Sequence, residues 1–307
     1  MRFRVLGLPY IEKAAGVAGR RTTVLASMLA LNANKHVSLD RLIDAVWEER
    51  PPATAREQVQ NCISILRRSL SDGPTAITIQ RIGASYQLNV DANEVDAHRF
   101  ERDYRTATTQ AAAGDLEAGA NLMRSALALW RGPALDGMES AELRAHACRL
   151  NDMRTTATQR MLELKLELEC PNEAVPELRS LTRLHPLHEP YMLLLTEALL
   201  QRGQHREALS AYDAFARHLA AELGANPGSQ ARARRADILA AFHHSAPSTE
   251  ARNGRVSGPR DLDAFAQAAE LLAAAEKRPE SDLLGHLERA VLHIRAASVL
   301  LASADGN

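Results

Sequence analysis

One stretch of the chain places amide, hydroxyl and guanidinium groups at the spacing of a single helix face. Between residues 54 and 71, apolar side chains recur at i, i+4, i+7 and i+11, which predicts an amphipathic helix with one buried stripe. The opposite face carries Glu57, Gln60, Asn61, Ser64, Arg67, Arg68 and Ser71. Amides and hydroxyls can contact base edges in a DNA groove, and guanidinium groups can bind phosphates. The face therefore indicates a DNA-binding surface, although an ordinary solvated helix has a similar composition.

The segments around this helix predict a winged helix-turn-helix. A capped amphipathic helix runs from Ser38 to Trp47, and Pro51-Pro52 separates it from the helix described above. A hairpin over residues 77–88 follows and carries Arg81. Two helices joined by a short turn and followed by a β-hairpin are typical of winged DNA-binding domains.

The composition is that of a globular protein with two domains or slightly more. The chain has 307 residues, of which 46% are hydrophobic and 24% are charged. Its net charge of −1 is unevenly distributed, because residues 1–95 contain 12 Lys and Arg against 9 Asp and Glu, a net of +3. A mildly basic front part joined to an acidic remainder fits a DNA-binding domain attached to another domain.

The cysteines and the first apolar segment both favour a cytoplasmic protein. Cys62, Cys148 and Cys170 are far apart and lie in no ligand motif, so we expect neither a metal site nor a disulfide framework. Residues 20–31 resemble a secretory signal, with two arginines before an apolar run. They follow a strand-like segment and lead directly into the helix-turn-helix, so we predict a first helix of the fold. No apolar run approaches the ~18 residues of a membrane span.

From Asp96 onward the pattern predicts helices with an internal repeat. Four pairs of similar residues lie 34 positions apart: Glu173/Glu207, Ala174/Ala208, Leu178/Tyr212 and Leu181/Phe215. This is the tetratricopeptide period, in which each repeat is a helix–turn–helix that packs on its neighbour. Gly and Pro residues stand where helix ends are expected. A generic helical bundle is the alternative.

The predicted fold class is mainly α, with four segments. Residues 1–95 form an α/β winged helix-turn-helix, and residues 96–244 form an all-α tetratricopeptide-like repeat domain. Residues 245–260 have no apolar periodicity and are predicted to be a linker. Residues 261–307 contain two amphipathic helices, predicted as a C-terminal helical hairpin. Two such helices bury little surface alone, so we expect them to pack on another domain or subunit.

Several motifs in order carry a family resemblance. They are residues 37–47 (VSLDRLIDAVW), 51–56 (PPATAR), 66–68 (LRR), 128–135 (ALWRGPAL), 185–190 (HPLHEP) and 222–228 (ELGANPG). The first 95 residues resemble OmpR-type winged helices. Residues 1–246, about four-fifths of the chain, resemble the Streptomyces antibiotic regulatory protein (SARP) family, in which such a domain precedes a tetratricopeptide-like bacterial transcriptional activator domain.

The resemblance implies roles for individual residues. Bases would be contacted by Asn61, Ser64 and Ile65, from a face that also carries Gln60. Phosphates would be bound by Trp47 through its indole N–H, and by Arg56, Arg67 and Arg68. Arg81 would lie on the wing. The wing differs from the usual pattern, because Gly83-Ala84-Ser85-Tyr86-Gln87 lacks the final arginine. Asn61-Cys62 replaces the usual Val-His, which suggests a different sequence preference.

The resemblance also implies an activator that needs no cofactor. It would bind double-stranded DNA at direct repeats upstream of promoters, mainly the promoters of genes for secondary-metabolite biosynthesis. It would associate with itself on DNA and engage RNA polymerase, including its sigma factor. Because the winged helix begins at residue 1, we expect no phosphate-accepting receiver domain before it.

The sequence also bears on two other function classes. A tetratricopeptide-type interaction scaffold with a non-DNA-binding winged helix is the alternative, and the retained Arg56, Arg67, Arg68 and Asn61 argue against it. An enzyme is rejected, since the chain has no phosphate-binding loop, no G-x-S-x-G and no H-E-x-x-H motif. His286 and His293 lie seven residues apart on one predicted helix, and His185, His188, His243 and His244 lie at helix ends; histidines in such positions are seldom ligands.

Overall fold

The computed structural model describes residues 2–12, 19–71 and 77–245. Within them the strands are β1 (Phe3–Arg4), β2 (Tyr10–Ile11), β3 (Val37–Ser38), β4 (Thr78–Ile82) and β5 (Ser85–Asn89). The helices are α1 (Arg20–Leu31), α2 (Leu39–Trp47), α3 (Ala55–Ser71), α4 (Asp96–Ala112), α5 (Leu116–Leu127), α6 (Ala141–Glu167), α7 (Pro171–Leu184), α8 (Glu189–Gln201), α9 (His205–Leu223) and α10 (Ser229–Ser245). The predicted mainly helical fold with a small N-terminal sheet is confirmed.

The winged helix-turn-helix forms as the periodicity predicts. Helices α1, α2 and α3 pack on one another, and α3 also packs on β4. The antiparallel sheet has the order β3-β5-β4. The predicted stripe of Val59, Ile63, Leu66 and Leu70 is buried, each residue being 2% exposed or less. Burying four large side chains on one face fixes the rotation of α3, so its polar face points to solvent.

Local signals set the ends of α2 and of the wing. The Ser38 hydroxyl caps α2 by accepting a hydrogen bond from the backbone N–H of Arg41 at 3.2 Å. In the wing, Ile82 pairs with Ser85, which leaves a two-residue turn. Gly83 in that turn has φ +60°, a backbone conformation that costs glycine little and other residues more.

The segment that resembles a secretory signal is a helix of the fold. Helix α1 spans Arg20–Leu31, and its residues from Val24 to Leu31 are buried in the core. It contacts α2 and α3 on one side and β5 on another. Within the described residues, no helix is both long enough and apolar enough to span a bilayer.

The second part of the chain is a series of antiparallel helix pairs. Helix α4 packs on α5, α7 on α8, and α9 on α10. The 34-residue offset relates α7 to α9, so that Ala174 and Ala208 are both buried, as are Leu178 and Tyr212. The predicted tetratricopeptide-like repeat is therefore confirmed. Between α4 and α5, a Cβ at Gly119 would lie 3.0 Å from the Ala107 carbonyl oxygen, so these helices approach too closely for a side chain there.

Two hydrophobic cores meet along α6. The first extends from β1 through the winged helix and continues into α4, α5 and α6 as far as Leu164. The second joins α6, from Leu162 onward, to α7, α8, α9 and α10. The first core therefore crosses the predicted domain division at residues 95 and 96, and that division stays a prediction. The predicted linker of residues 245–260 lies outside the described residues except for Ser245, which is the last residue of α10. The predicted C-terminal helical hairpin also lies outside the described residues.

Candidate nucleic-acid interface

The structure brings the residues predicted to touch bases onto one side of α3. Gln60, Asn61 and Ser64 are exposed, whereas Ile65 is half-buried. Within the described residues, the Asn61 amide makes no side-chain hydrogen bond, so both its oxygen and its NH₂ group are available. The Ser64 hydroxyl donates to the Gln60 carbonyl at 2.9 Å, which leaves its oxygen free to accept. Asn61 is thus the side chain best prepared for paired hydrogen bonds to a base.

The two arginines at the end of this face are held differently. Arg67 donates from Nε to the Ile79 carbonyl at 2.9 Å, which links α3 to strand β4 of the wing. Arg68 makes a longer bond of 3.4 Å, from Nε to the Ser64 carbonyl of its own helix. Both residues remain exposed. A guanidinium has five N–H donors, so each arginine keeps several for phosphate.

Arg56 and Trp47 lie near the other end of α3. Both side chains already make contacts within the protein. Arg56 forms an ion pair of 3.1 Å with Asp40, and both side chains are mostly exposed. Exposed ion pairs are worth about 0–1 kcal/mol, so phosphate can replace Asp40 at little cost. Trp47 is half-buried, and the Arg21 guanidinium lies 5.5 Å from the centre of its ring.

Arg21 is a basic residue near α3 that the sequence reasoning did not select. Its Nη1 donates to Gln58 on α3, and its guanidinium covers Trp47 on α2. It is exposed, so it adds a positive charge beside two predicted contact residues. Nothing local marks it, because in the sequence it belongs to a basic pair before an apolar run. Only the packing of α1 against α2 and α3 brings it to this surface.

The wing carries Arg81 in an exposed position. Its Nε donates to the Gly83 carbonyl at 3.2 Å, across the turn. Gln87 stands where the family pattern has an arginine, and its Nε2 donates to the Asn34 carbonyl at 3.1 Å, near the end of α1. This side chain is therefore bonded to the body of the domain, and Arg81 carries the charge of the wing.

A buried carboxylate fastens the N-terminal strands to the helical part. Asp96, at the start of α4, accepts hydrogen bonds from the backbone N–H groups of Val5 at 2.8 Å and Leu6 at 3.2 Å. It also forms an ion pair of 3.0 Å with Arg131. Burial raises the pKa of Asp96 above its usual value, although the three hydrogen bonds act in the opposite direction. Removing this carboxylate would leave buried donors without a partner.

Polar contacts also join the winged helix-turn-helix to the start of α6. Arg41 on α2 pairs with Glu142, and Arg20 on α1 pairs with Glu139. Glu48, which follows α2, accepts from the backbone N–H of Ala141 at 3.1 Å, the first residue of α6. A carboxylate at a helix N-terminus is favourable because free N–H groups point toward it. The orientation of α2 is thus coupled to α6 from two sides.

No metal site is found in the part of the chain that the structure describes, as no three His, Cys, Asp or Glu side chains are arranged to hold an ion. Cys62 is half-buried, Cys148 and Cys170 are exposed, and all three are free thiols. The described chemistry of the interface is therefore that of amides, hydroxyls and guanidinium groups.

Two family models match the chain in tandem. Residues 18–88 match the family described as "Transcriptional regulatory protein, C terminal". Residues 95–239 match the "Bacterial transcriptional activator domain". The first match contains α1, α2, α3 and the wing, and the second contains α4 to α9 with most of α10.

Named regulators are similar over both parts. Regulatory protein DnrI of Streptomyces peucetius is 30% identical over 242 residues, which cover 75% of this chain and 89% of DnrI. Transcriptional regulatory protein EmbR of Mycobacterium tuberculosis is 31% identical over 223 residues, which cover 72% of this chain but 57% of EmbR. A solved structure of Mycobacterium tuberculosis EmbR in complex with a low affinity phosphopeptide has a TM-score of 0.71 at 26% identity, covering 91% of this chain and 72% of that one. The chain belongs to the Streptomyces antibiotic regulatory protein family of transcriptional regulators.

Proposed function

We propose that this regulator activates transcription by binding direct repeats upstream of promoters, among them those of secondary-metabolite genes. Helix α3 would enter the major groove, with Asn61 and Ser64 toward bases and Ile65 against a thymine methyl group. The single observation that carries this proposal is the exposed face of α3, where an unbonded amide lies between guanidinium groups. Such a face combines base contact with phosphate binding, which specific recognition requires.

The phosphate contacts would come from several elements at once. Arg67 and Arg68 flank one end of the base-contacting face, Arg56 and Trp47 lie near the other, and Arg81 projects from the wing. Contacts on both sides of a groove fix the orientation of a helix within it, whereas contacts on one side do not. The hydrogen bond from Arg67 to the Ile79 carbonyl would hold the orientation of α3 relative to the wing while both bind DNA.

Assembly on repeated sites would place two copies head to tail. Direct repeats have no two-fold axis, so neighbouring copies present different surfaces to each other. The helical part would then contact the neighbouring copy or RNA polymerase with its sigma factor. This step is supported by the match of residues 95–239 to an activator domain. Because a bound regulator must reach the bacterial chromosome, we place the protein in the cytoplasm.

Footprinting with the purified protein on the genomic region around its own gene tests the proposal. We expect protection of at least two similar sequences in the same orientation, upstream of a promoter whose transcription in vitro rises with the protein. As a matched pair, Arg68→Gln on α3 should weaken protection and Arg124→Gln on α5 should not. Unprotected DNA over the whole region, with the helical part still able to bind other proteins, would support an interaction scaffold instead.

A further inference from the structure

A cavity of about 290 Å³ lies in the second core, and none of its lining residues belongs to α3 or the wing. It is bounded by the last turn of α7, the segment between α7 and α8, the first turns of α8 and the middle of α9. The two repeat hairpins meet here, because α8 packs on both α7 and α9. Its size is at the lower end of the range for small-molecule sites.

The floor of the cavity is apolar and well packed. Met192 and Leu195 on α8 and Phe215 on α9 line it, and each is 5% exposed or less. Pro186 lines it from the connecting segment. An aromatic ring placed on this floor would gain contact area without displacing a polar group.

The rim has the opposite character. Apart from the Thr182 hydroxyl, which donates to the Leu178 carbonyl at 2.9 Å, its polar groups are guanidinium and imidazole. Arg183, His185, His188 and His218 line the cavity, and none of the described residues around it is acidic. Arg183 is exposed and forms no ion pair with any described residue. The adjacent carboxylate, that of Glu189, instead accepts from the backbone N–H of Gly228 at 3.4 Å.

The imidazoles are only partly satisfied by the protein. His218 donates from Nδ1 to the Ala214 carbonyl at 2.9 Å, since a carbonyl can only accept, and this leaves Nε2 for another partner. His188 lies against Tyr191 with the two rings tilted and their centres 4.1 Å apart. Its Nδ1 has no partner among the described residues, but it is shielded from solvent, so a bound molecule would not reach that nitrogen. Burial lowers the pKa of His188, with a smaller contribution from His185.

A metal ion does not account for this cluster. The three histidines are not arranged as a group that could hold an ion within the described residues. A carboxylate fits better, because guanidinium and imidazole N–H groups are its usual partners and it can accept several hydrogen bonds.

We propose that this cavity is a binding site for a small aromatic carboxylic acid, with the ring on Phe215, Met192 and Leu195 and the carboxylate held by Arg183 and the imidazoles of His185 and His218. The site is distinct from the DNA-binding surface and does not depend on the proposed function. A bound acid would bridge α7, α8 and α9 and so stabilise the contact between the two repeat hairpins.

Calorimetric titration of the 307-residue chain with sodium 1-naphthoate tests the site. We expect saturable binding of one molecule per chain with a Kd of about 0.1–1 mM. The neutral 1-naphthamide has the same rings and should bind at least ~10-fold more weakly, since it cannot form charge-assisted bonds. Equal affinities for the two compounds, or the absence of saturable binding, would overturn the proposal.

Two variants and one control locate the binding. Arg183→Gln should weaken naphthoate about tenfold and leave naphthamide unchanged, whereas Arg202→Gln, an exposed arginine outside the cavity, should change neither. Ala211→Leu on α9 should block both compounds by filling the cavity, with circular dichroism verifying that it folds. The surface substitution Arg183→Gln keeps the test valid if the filled variant unfolds. Unchanged naphthoate binding in Arg183→Gln would contradict the assigned carboxylate position.

Discussion

At the scale of single residues, the exposed face of α3 contains side chains in different states of bonding. The Asn61 amide is unbonded within the described residues, whereas the hydroxyl of Ser64 and the Nε of Arg67 are bonded to carbonyl groups. A side chain that makes no internal bond loses little when it binds a base. Sequence preference should therefore depend most strongly on Asn61.

Replacing Asn61 with Ala should relax the base preference at one position of each repeat by about 1–3 kcal/mol. The physical reason is the loss of a pair of hydrogen bonds suited to adenine. The measurement is binding to operators in which each base pair is changed in turn, with binding to unrelated DNA measured in parallel and expected to stay constant. Asn121→Ala on the exposed surface of α5 is the matched control. A variant that retained every wild-type preference would show that Asn61 makes no base contact.

Replacing Arg67 or Arg68 with Ala should flatten the slope of log K against log salt by ~0.9 for each lost phosphate contact. Binding to all DNA sequences should weaken alike. The two variants should differ in folding, because only Arg67 bonds to the wing: Arg67→Ala should also reduce the free energy of unfolding by about 0.5–1.5 kcal/mol. Salt-dependent binding and denaturant unfolding measure the two effects. Slopes equal to that of the wild type would refute both phosphate roles.

At the scale of elements, local pattern was sufficient for most helices and for the wing. The stripe of α3, the cap of α2 and the 34-residue repeat each depend on residues close together in sequence or on a fixed period, so the sequence predicted them. The cavity between α7, α8 and α9 was not predicted. The cavity depends on how the side chains of two adjacent hairpins pack against each other. The periodicity of a sequence does not predict that packing.

Leu178→Ala should lower the free energy of unfolding of the second core by about 2–5 kcal/mol, because this side chain is fully buried and its loss leaves a cavity. Leu184→Ala, the same change two turns later on α7, is the control, since Leu184 is 70% exposed. It should alter stability by no more than about 0.5 kcal/mol. Denaturant unfolding followed by circular dichroism measures both. Similar effects of the two substitutions would contradict the packing of α7 on this core.

At the scale of the whole molecule, the winged helix-turn-helix and the helices from α4 onward are joined by packing and hydrogen bonds as well as by the covalent chain. The first core is common to both, and Asp96 binds the N-terminal strand from the start of α4. These contacts join residues about 90 positions apart, which is why the sequence alone gave no sign of them. They imply that the orientation of the DNA determines the orientation of the helical part.

Inserting half a helical turn, about 5 bp, between direct repeats should abolish activation. A rigid regulator moved half a turn faces the opposite side of the DNA and cannot contact its neighbour. Each single repeat should still be bound with unchanged affinity, which gel-shift measurements verify. Inserting a full turn of roughly 10–11 bp should restore part of the activity. In vitro transcription from the altered promoters measures activation. Equal activation from the half-turn and full-turn promoters would show that the copies act independently.

Asp96 also determines where a functional chimera can be joined. If the DNA-reading part were exchanged for that of another regulator at residue 95, the new strand would have to supply backbone N–H groups in the places of Val5 and Leu6. A poor match would leave a buried carboxylate with one partner, Arg131. A junction after α6 would carry the whole first core and the contacts of Glu142 and Glu139 with it. Leu162 and Leu166 of α6 pack in the second core, so these two residues would have to be retained. Altered DNA specificity is therefore obtained more safely by transplanting residues through the end of α6, with Leu162 and Leu166 kept, than by exchanging the winged helix alone.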